Sequence, residues 1–570
     1  SGSTIGKWET DGKTPDTTTG ALGGNADAGA QGGYGIYSYG KLFITQNAAI
    51  TNAKGGDSKN IGGYGIYSSN ALTMGAGSKI GTAQGGSGMY GGRGIYSYKD
   101  LTMEAGSNIG TAKGGDGKSC SGGYGISSDG TLTLKEGSTI EKAQGGSSTG
   151  SNSYDSYSNG GDGIHSDNLK IEGGKIEQAI GGTATGKSGK GGRGGDGIRT
   201  NLDLSISKGS DPSISEVGIG TAKGGDGAVY YGNDGKTTGG SGINCGGTLT
   251  LKEGGKIGTA KGGHGGSGTG GDGIVSSGKL TVSEKATINN ATGGSGKGGG
   301  KGIFGKTTME IAGTIKEAFG GKSTDTGNGG NGIHSNGDLT ISDSATINNA
   351  KGGDSIDGSG GDGIHGDGKL TISGQAFIDK ATGGTSKSGG NGGSGIHGGT
   401  ILAISQSAKI NNATGGDSTD GTGGDGIHSD GEFTISEVPI ETTQLYTIGT
   451  AQGGKGKSGG KGIFGKTMKI LAGAIIEEAF GGNSTGTGKD DTGGAGISAS
   501  EDLTISGWIQ NATGGSAQNG KAGDGIHSDA TLNISGGRIN GATGGSAESG
   551  AGGSGIHSNG DITISGGDIH

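Results

Sequence analysis

The sequence predicts an all-β fold: a single-stranded parallel β-helix (β-solenoid), right-handed, of about 17–18 coils of roughly 30 residues each. Three observations carry this. One frame recurs from end to end. Its scarce apolar residues fall on a fixed schedule. Between them, apolar and polar residues alternate with a period of two.

The frame is clearest from Gly361 to Gly384, GDGIHGDGKLTISGQAFIDKATGG. Its fixed points are Gly363-Ile364, then Leu370 and Ile372 around a polar residue, then Ile378, Ala381 and Gly383-Gly384. The glycine-isoleucine pair returns, among other places, at Ile36, Ile66, Ile95, Ile126, Ile333, Ile396 and Ile427, at intervals of about 29 to 45 residues. Within the unit, KLTISG puts Leu370 and Ile372 on one face and Thr371 on the other, which is a strand. In QAFID, Ala376 and Ile378 share a face across Phe377, and Ile364 opens a third short strand. Asp367-Gly368 and Ser373-Gly374 mark corners, where a positive φ is cheap only for glycine. Helix is excluded, because glycine at this density costs about 1 kcal/mol per site against alanine. Ile36, Ile66, Ile95, Ile333, Ile364, Ile396 and Ile427 are therefore expected inside as a core ladder, with Leu370 and Ile372 in a second ladder and Ile378 in a third.

Composition alone points elsewhere. Glycine fills 152 of 570 positions and only 26% of residues are hydrophobic, a balance that usually means disorder. The regular placement of the isoleucines argues against that, and the lack of glycine at every third position excludes collagen. One continuous solenoid over 1–570 is expected, since each coil contacts only its neighbours and length sets no limit. Insertions fall near 147–162, 208–218, 226–240 and 437–447; Pro212 and Pro439, which cannot donate to a ladder, mark two of them. KGIFGKTTMEIAGTIKEAFGG at Lys301 returns at Lys461 as KGIFGKTMKILAGAIIEEAFGG, a five-coil duplication of 301–340 in 461–504.

Charge and cysteine bound the function. The net charge of −9 is weak and no lysine or arginine run occurs, so no nucleic-acid partner is expected. No apolar run approaches 18 residues, so no membrane span is expected. The chain opens at Ser1 without a leader-like segment, as a mature secreted form would. Cys120 and Cys245 lie about three coils apart, roughly 14 Å at roughly 4.8 Å per coil, too far for a disulfide.

One column of side chains invites a chemical reading. The residue after the Gly-Ile pair points outward and is Tyr37, Tyr67 and Tyr96 in early coils, and His334, His365, His397 and His428 in four successive later ones. The plain reading is a solvent-facing stack supporting strand pairing. The alternatives are a sugar- or partner-binding strip on the tyrosines, or a metal ladder on the histidines. Phe304, Phe464, Val275 and Arg199 interrupt the column, so no metal is assigned to it. Gly-Gly-Asp-Gly at Asp162, Asp196, Asp272, Asp362 and Asp425, with Ala-Gly-Asp-Gly at Asp524, is similar to a calcium-binding nonapeptide coil. The repeat is near 30 and not 9, and Lys301, Lys461 and Arg93 stand at the aspartate position, so calcium is not expected. No coil carries a specialised set of carboxylates such as a glycosidase requires, so no catalytic residue and no cofactor is assigned.

The run LTISGGRINGATGGSAESGAGGSGIHSNGDITISGG (Leu532 to Gly567) resembles the glycine-rich repeats of large bacterial surface and extracellular β-helix proteins of the adhesin or filament type, over nearly the whole chain. That resemblance implies secretion to the cell surface, a rod-like form and a structural or adhesive role. The expected function is an extracellular rod or filament subunit, not an enzyme, that associates head-to-tail. The matching phase of GSTIGKW at the start and ISGGDIH at the end suggests this stacking. A carbohydrate- or host-binding adhesin is the alternative, with glycans or a cell-surface partner, and a polysaccharide-active β-helix enzyme is third.

Overall fold

A computed structural model describes residues 4–5, 7–8, 15–16, 20–27, 29–149, 158–185, 192–210, 217–228, 237–436 and 447–570. The expected insertions, with Pro212 and Pro439, fall largely outside these residues. The described residues contain no helix, and 46% of the chain is strand. The strands stack in parallel as a β-solenoid with coils about 31 residues apart and roughly 16 turns. The seventeen Gly-Ile frames bound sixteen steps, which accounts for the difference from 17–18. No helix among the described residues is long and apolar enough to cross a membrane.

The chain forms two units, residues 1–281 with 285–297, and residues 282–284 with 298–570. Each is built from the same coil. In the reference coil of the second unit, Ile364–Gly366 is the first strand, Lys369–Ile372 the second and Phe377–Thr382 the third. The first strands pair Ile333 with Ile364, Ile364 with Ile396 and Ile396 with Ile427. The second pair Leu339, Leu370 and Leu402 in register, and the third pair Ile347, Ile378 and Ile410. Identical residues thus stack on identical residues, and all of these are fully buried. In the first unit, Ile66 pairs with Ile95 and Ile95 with Ile126, again fully buried. Ile36 is the exception: it is half-buried, because among the described residues its strand has a partner on one side only.

The corners need two kinds of glycine. Gly374 takes φ +68°, as the Ser-Gly pair predicts. Gly368 does not take a positive φ; there a Cβ would lie 2.5 Å from Asp338 Oδ1 and 2.8 Å from the Gly337 carbonyl carbon, so the need is close approach.

Between Ala-x-Gly-Gly and the next Gly-Ile runs a glycine- and serine-rich segment with no ladder residue, which by pattern alone reads as a loop. Its flanks form a second core made of backbone. Gly353 N–H donates to Gly330 O at 2.7 Å, and Gly361 N–H to Gly353 O at 2.9 Å. Gly384 N–H donates to Gly361 O at 2.7 Å, and Gly393 N–H to Gly384 O at 2.9 Å. The glycine after Ala-x-Gly in one column and the glycine before Asp-Gly-Ile in the other zip together. A Cβ on Gly384 would stand 2.0 Å from Gly353 O, and one on Gly361 2.1 Å from Gly330 O. Beyond the zipper, Ser355, Ser386 and Ser418 are buried and bridge in register.

Candidate functional site

The outward column in the second unit gathers the only clusters of histidine and carboxylate groups, among the described residues, that place three ligand atoms together. Strand register puts His334, His365, His397 and His428 directly above one another. Successive ring centroids are 4.7, 4.5 and 4.6 Å apart.

Full solvent exposure, the simple expectation for this column, is not found. The side chains of His334, His365, His397 and His428 are 13%, 16%, 21% and 21% exposed. Each ring lies on its neighbours and against carboxylates that the sequence places at fixed offsets. The carboxylate three residues earlier meets Nδ1: Asp362 with His365 at 2.6 Å, and Asp425 with His428 at 2.6 Å. The carboxylate two residues later meets Nε2: Asp367 with His365 at 2.7 Å, and Asp430 with His428 at 2.9 Å. Some carboxylates also reach a neighbouring coil. Asp362 Oδ2 is 3.5 Å from His397 Nδ1, Asp430 Oδ2 is 3.1 Å from His397 Nε2, and Asp367 Oδ2 is 3.4 Å from His334 Nε2. Imidazole and carboxylate therefore alternate without a break from His334 through Asp367, His365, Asp362, His397, Asp430 and His428 to Asp425.

The other carboxylate oxygen has a structural duty. Asp362 Oδ1 accepts the N–H of Ser394 at 2.6 Å, and Asp425 Oδ1 accepts that of Lys461 at 2.6 Å. Asn331 does the same for Asp362 N–H at 2.8 Å, and Asp524 for Ser554 N–H at 2.7 Å. Each of these Asp and Asn side chains holds a backbone donor of the next coil that would otherwise be left unpaired.

The electrostatics divide the rings. Burial, with His365 and Lys301 nearby, lowers His334 to about 4, so this ring is neutral at pH 7. Burial also opposes charge on His397, but its bonds to Asp362 and Asp430 prevail and raise it to about 9. Asp362 and Asp425 are buried, which favours protonation, yet their histidine partners hold both well below the usual carboxylate range.

The residues that interrupt the column obey the same offset. Lys301 sits 4.0 Å over the Phe304 ring and Lys461 4.4 Å over Phe464. Arg93 lies 4.1 Å over Tyr96. At these coils the partner three residues before the ring suits the ring: Asp362 and Asp425 before His365 and His428, Lys301, Lys461 and Arg93 before Phe304, Phe464 and Tyr96. Sequence reasoning weighed the aspartate and ring columns separately and missed this pairing, although the spacing was visible in GDGIH.

Beside the histidines, unit two has a groove of about 520 Å³ lined by Asn328, Asn391, Thr422, His365, His397 and His428 among others. The tyrosine strip of the first unit is less open than expected. Tyr37 is 51% exposed, Tyr67 half-buried and Tyr96 only 8% exposed, because Arg93 covers it and its hydroxyl donates to Asp129. The Tyr37 and Tyr67 rings are parallel within 3° at 5.1 Å. Rings stacked on one another offer edges and hydroxyls, not open faces. Cys120 and Cys245 are both buried free thiols. No family model matches the sequence, and no curated protein or solved structure matches it either.

Proposed function

We propose that the chain is a structural β-solenoid, a rod or filament subunit of an extracellular bacterial surface assembly. The observation that carries this reading is the use made of the polar side chains. The corner aspartates and asparagines, which an enzyme would keep free for substrate, accept backbone N–H groups of the next coil. Side-chain chemistry is spent on coil-to-coil cohesion, which gives a polysaccharide-active enzyme less support. Head-to-tail self-association belongs to this reading, because coils that repeat one ladder can stack on copies of themselves.

The second reading, a carbohydrate-binding adhesin, is favoured by the groove of amides, hydroxyls and imidazoles beside the histidine column. Electron micrographs and sedimentation of the whole chain at rising concentration test the first reading. Particles that lengthen with concentration are expected. Particles of one size at every concentration, together with selective binding on a glycan array, would replace it with the second.

A further inference from the structure

In the alternating chain of imidazole and carboxylate, two imidazole nitrogens converge on one carboxylate oxygen. His365 faces Asp362 Oδ2 with Nδ1 at 2.6 Å and Asp367 Oδ1 with Nε2 at 2.7 Å. His397 faces the same Asp362 Oδ2 with Nδ1 at 3.5 Å and Asp430 Oδ2 with Nε2 at 3.1 Å. A neutral imidazole has one N–H to divide between two carboxylates. When Asp367 and Asp430 take the Nε2 protons, the Nδ1 lone pairs of both rings converge on a carboxylate oxygen.

We propose that Asp362 Oδ2, His365 Nδ1 and His397 Nδ1 form a binding site for one divalent transition-metal ion of the zinc class, with water completing the shell. The three ligand atoms all lie within 4.8 Å of one another. Tetrahedral bonds of about 2.0–2.1 Å put ligand atoms about 3.4 Å apart, so small side-chain rotations suffice. Two nitrogens and one oxygen suit zinc and its neighbours; calcium and magnesium prefer oxygen alone. The supports are already in place. Asp362 is held through Oδ1 by Ser394 N–H, and each imidazole is oriented through Nε2 by a second carboxylate, the arrangement that fixes the tautomer of a metal-bound histidine. The clusters His334/His365/Asp367 and His397/His428/Asp430 use the opposite nitrogens of the same rings. Their carboxylates are far more exposed than Asp362, which suits them to the outer role. The ion would tie the coil of Ile364 to the coil of Ile396.

The chain supplies fold-preserving variants for the test. Asn331 occupies the Asp362 position one coil earlier and makes the same cross-coil bond; Phe304 and Phe464 occupy the histidine position elsewhere. Whole protein stripped with chelator is titrated with zinc chloride by calorimetry, with Co²⁺ as an absorbance probe and thermal midpoints measured with and without zinc. One ion per chain is expected, with d–d bands of nitrogen-oxygen cobalt and a zinc-dependent rise in midpoint. Asp362→Asn and His397→Phe should each weaken zinc at least about tenfold, and Asp367→Asn or Asp430→Asn by about tenfold, with unchanged circular dichroism. No stoichiometric binding, binding indifferent to Asp362→Asn, or two ions per chain that survive Asp362→Asn would overturn the proposal.

Discussion

Replacing Ile364 by alanine tests the coil at its centre. Ile364 is fully buried and pinned between Ile333 and Ile396 by strand register. The change removes three carbons, worth about 2.4 kcal/mol at about 0.8 kcal/mol per buried carbon. The neighbours are fixed on both sides and collapse little, so a cavity of about 50 Å³ adds about 1.2 kcal/mol at about 24 cal/mol per Å³. The expected loss is about 3–4 kcal/mol. Ile356→Ala removes the same carbons from a residue that is 45% exposed and leaves no closed cavity, so it should cost about 1 kcal/mol. Urea unfolding followed by circular dichroism and Trp508 emission compares the two. Equal losses, or a loss below about 1 kcal/mol at Ile364, would show that the ladder does not hold the coil. Ile364→Asp, which buries an unpaired charge, should cost more than either.

Three further outcomes follow from the polar and glycine columns. Gly384→Ala should destabilise the protein more than Gly366→Ala, because a Cβ at Gly384 meets backbone at 2.0 Å and one at Gly366 meets only side chains at 3.5 and 3.6 Å; thermal midpoints check this. Asp425→Ala leaves Lys461 N–H without its acceptor and should cost about 1–3 kcal/mol, while Asp425→Asn should recover most of the loss in the same urea assay. The Asp524–His527 pair should give opposite pH slopes. The bond to His527 and the Ser554 and Lys521 donors outweigh burial and lower Asp524, so its stabilisation is full above about pH 4 and is lost as acid protonates it. The Asp524 bond raises His527, so its contribution is full below about pH 6.5 and fades as pH rises through the elevated value. Stability of wild type minus His527→Phe, followed from pH 3 to pH 9, should fall at both ends; a flat difference would refute the pairing.

The ladders were legible because they live in side chains. Ile364, Leu370, Ile372 and Ile378 follow a strand period, and a period of two leaves little choice of face. The glycine zipper was not legible in the same way. Gly361 and Gly384 pack through backbone, and glycine has no side chain whose pattern reveals a face, so a second core read as a loop. The Asp362–His365 offset lies within one strand entry and was available to inspection. The His397–Asp430 contact spans 33 residues and needs the coil length before it can be seen. Tyr96 was placed on the correct strand but not in its true surroundings, since its burial depends on Arg93 and on Asp129 in the next coil.

The corner bonds have a genetic consequence. Asp362 serves the donor of Ser394, Asn331 serves Asp362, and Asp425 serves Lys461, so at these joints a coil takes from its predecessor one acceptor at one position. Any coil that offers an acceptor there fits after any other whose ladder matches. A recombination event that adds or removes a whole repeat therefore leaves every acceptor matched to a donor and every isoleucine on an isoleucine. A single-residue deletion inside a strand turns its apolar face outward and breaks the match at once. The number of repeats can change in one step, while the register inside each repeat cannot.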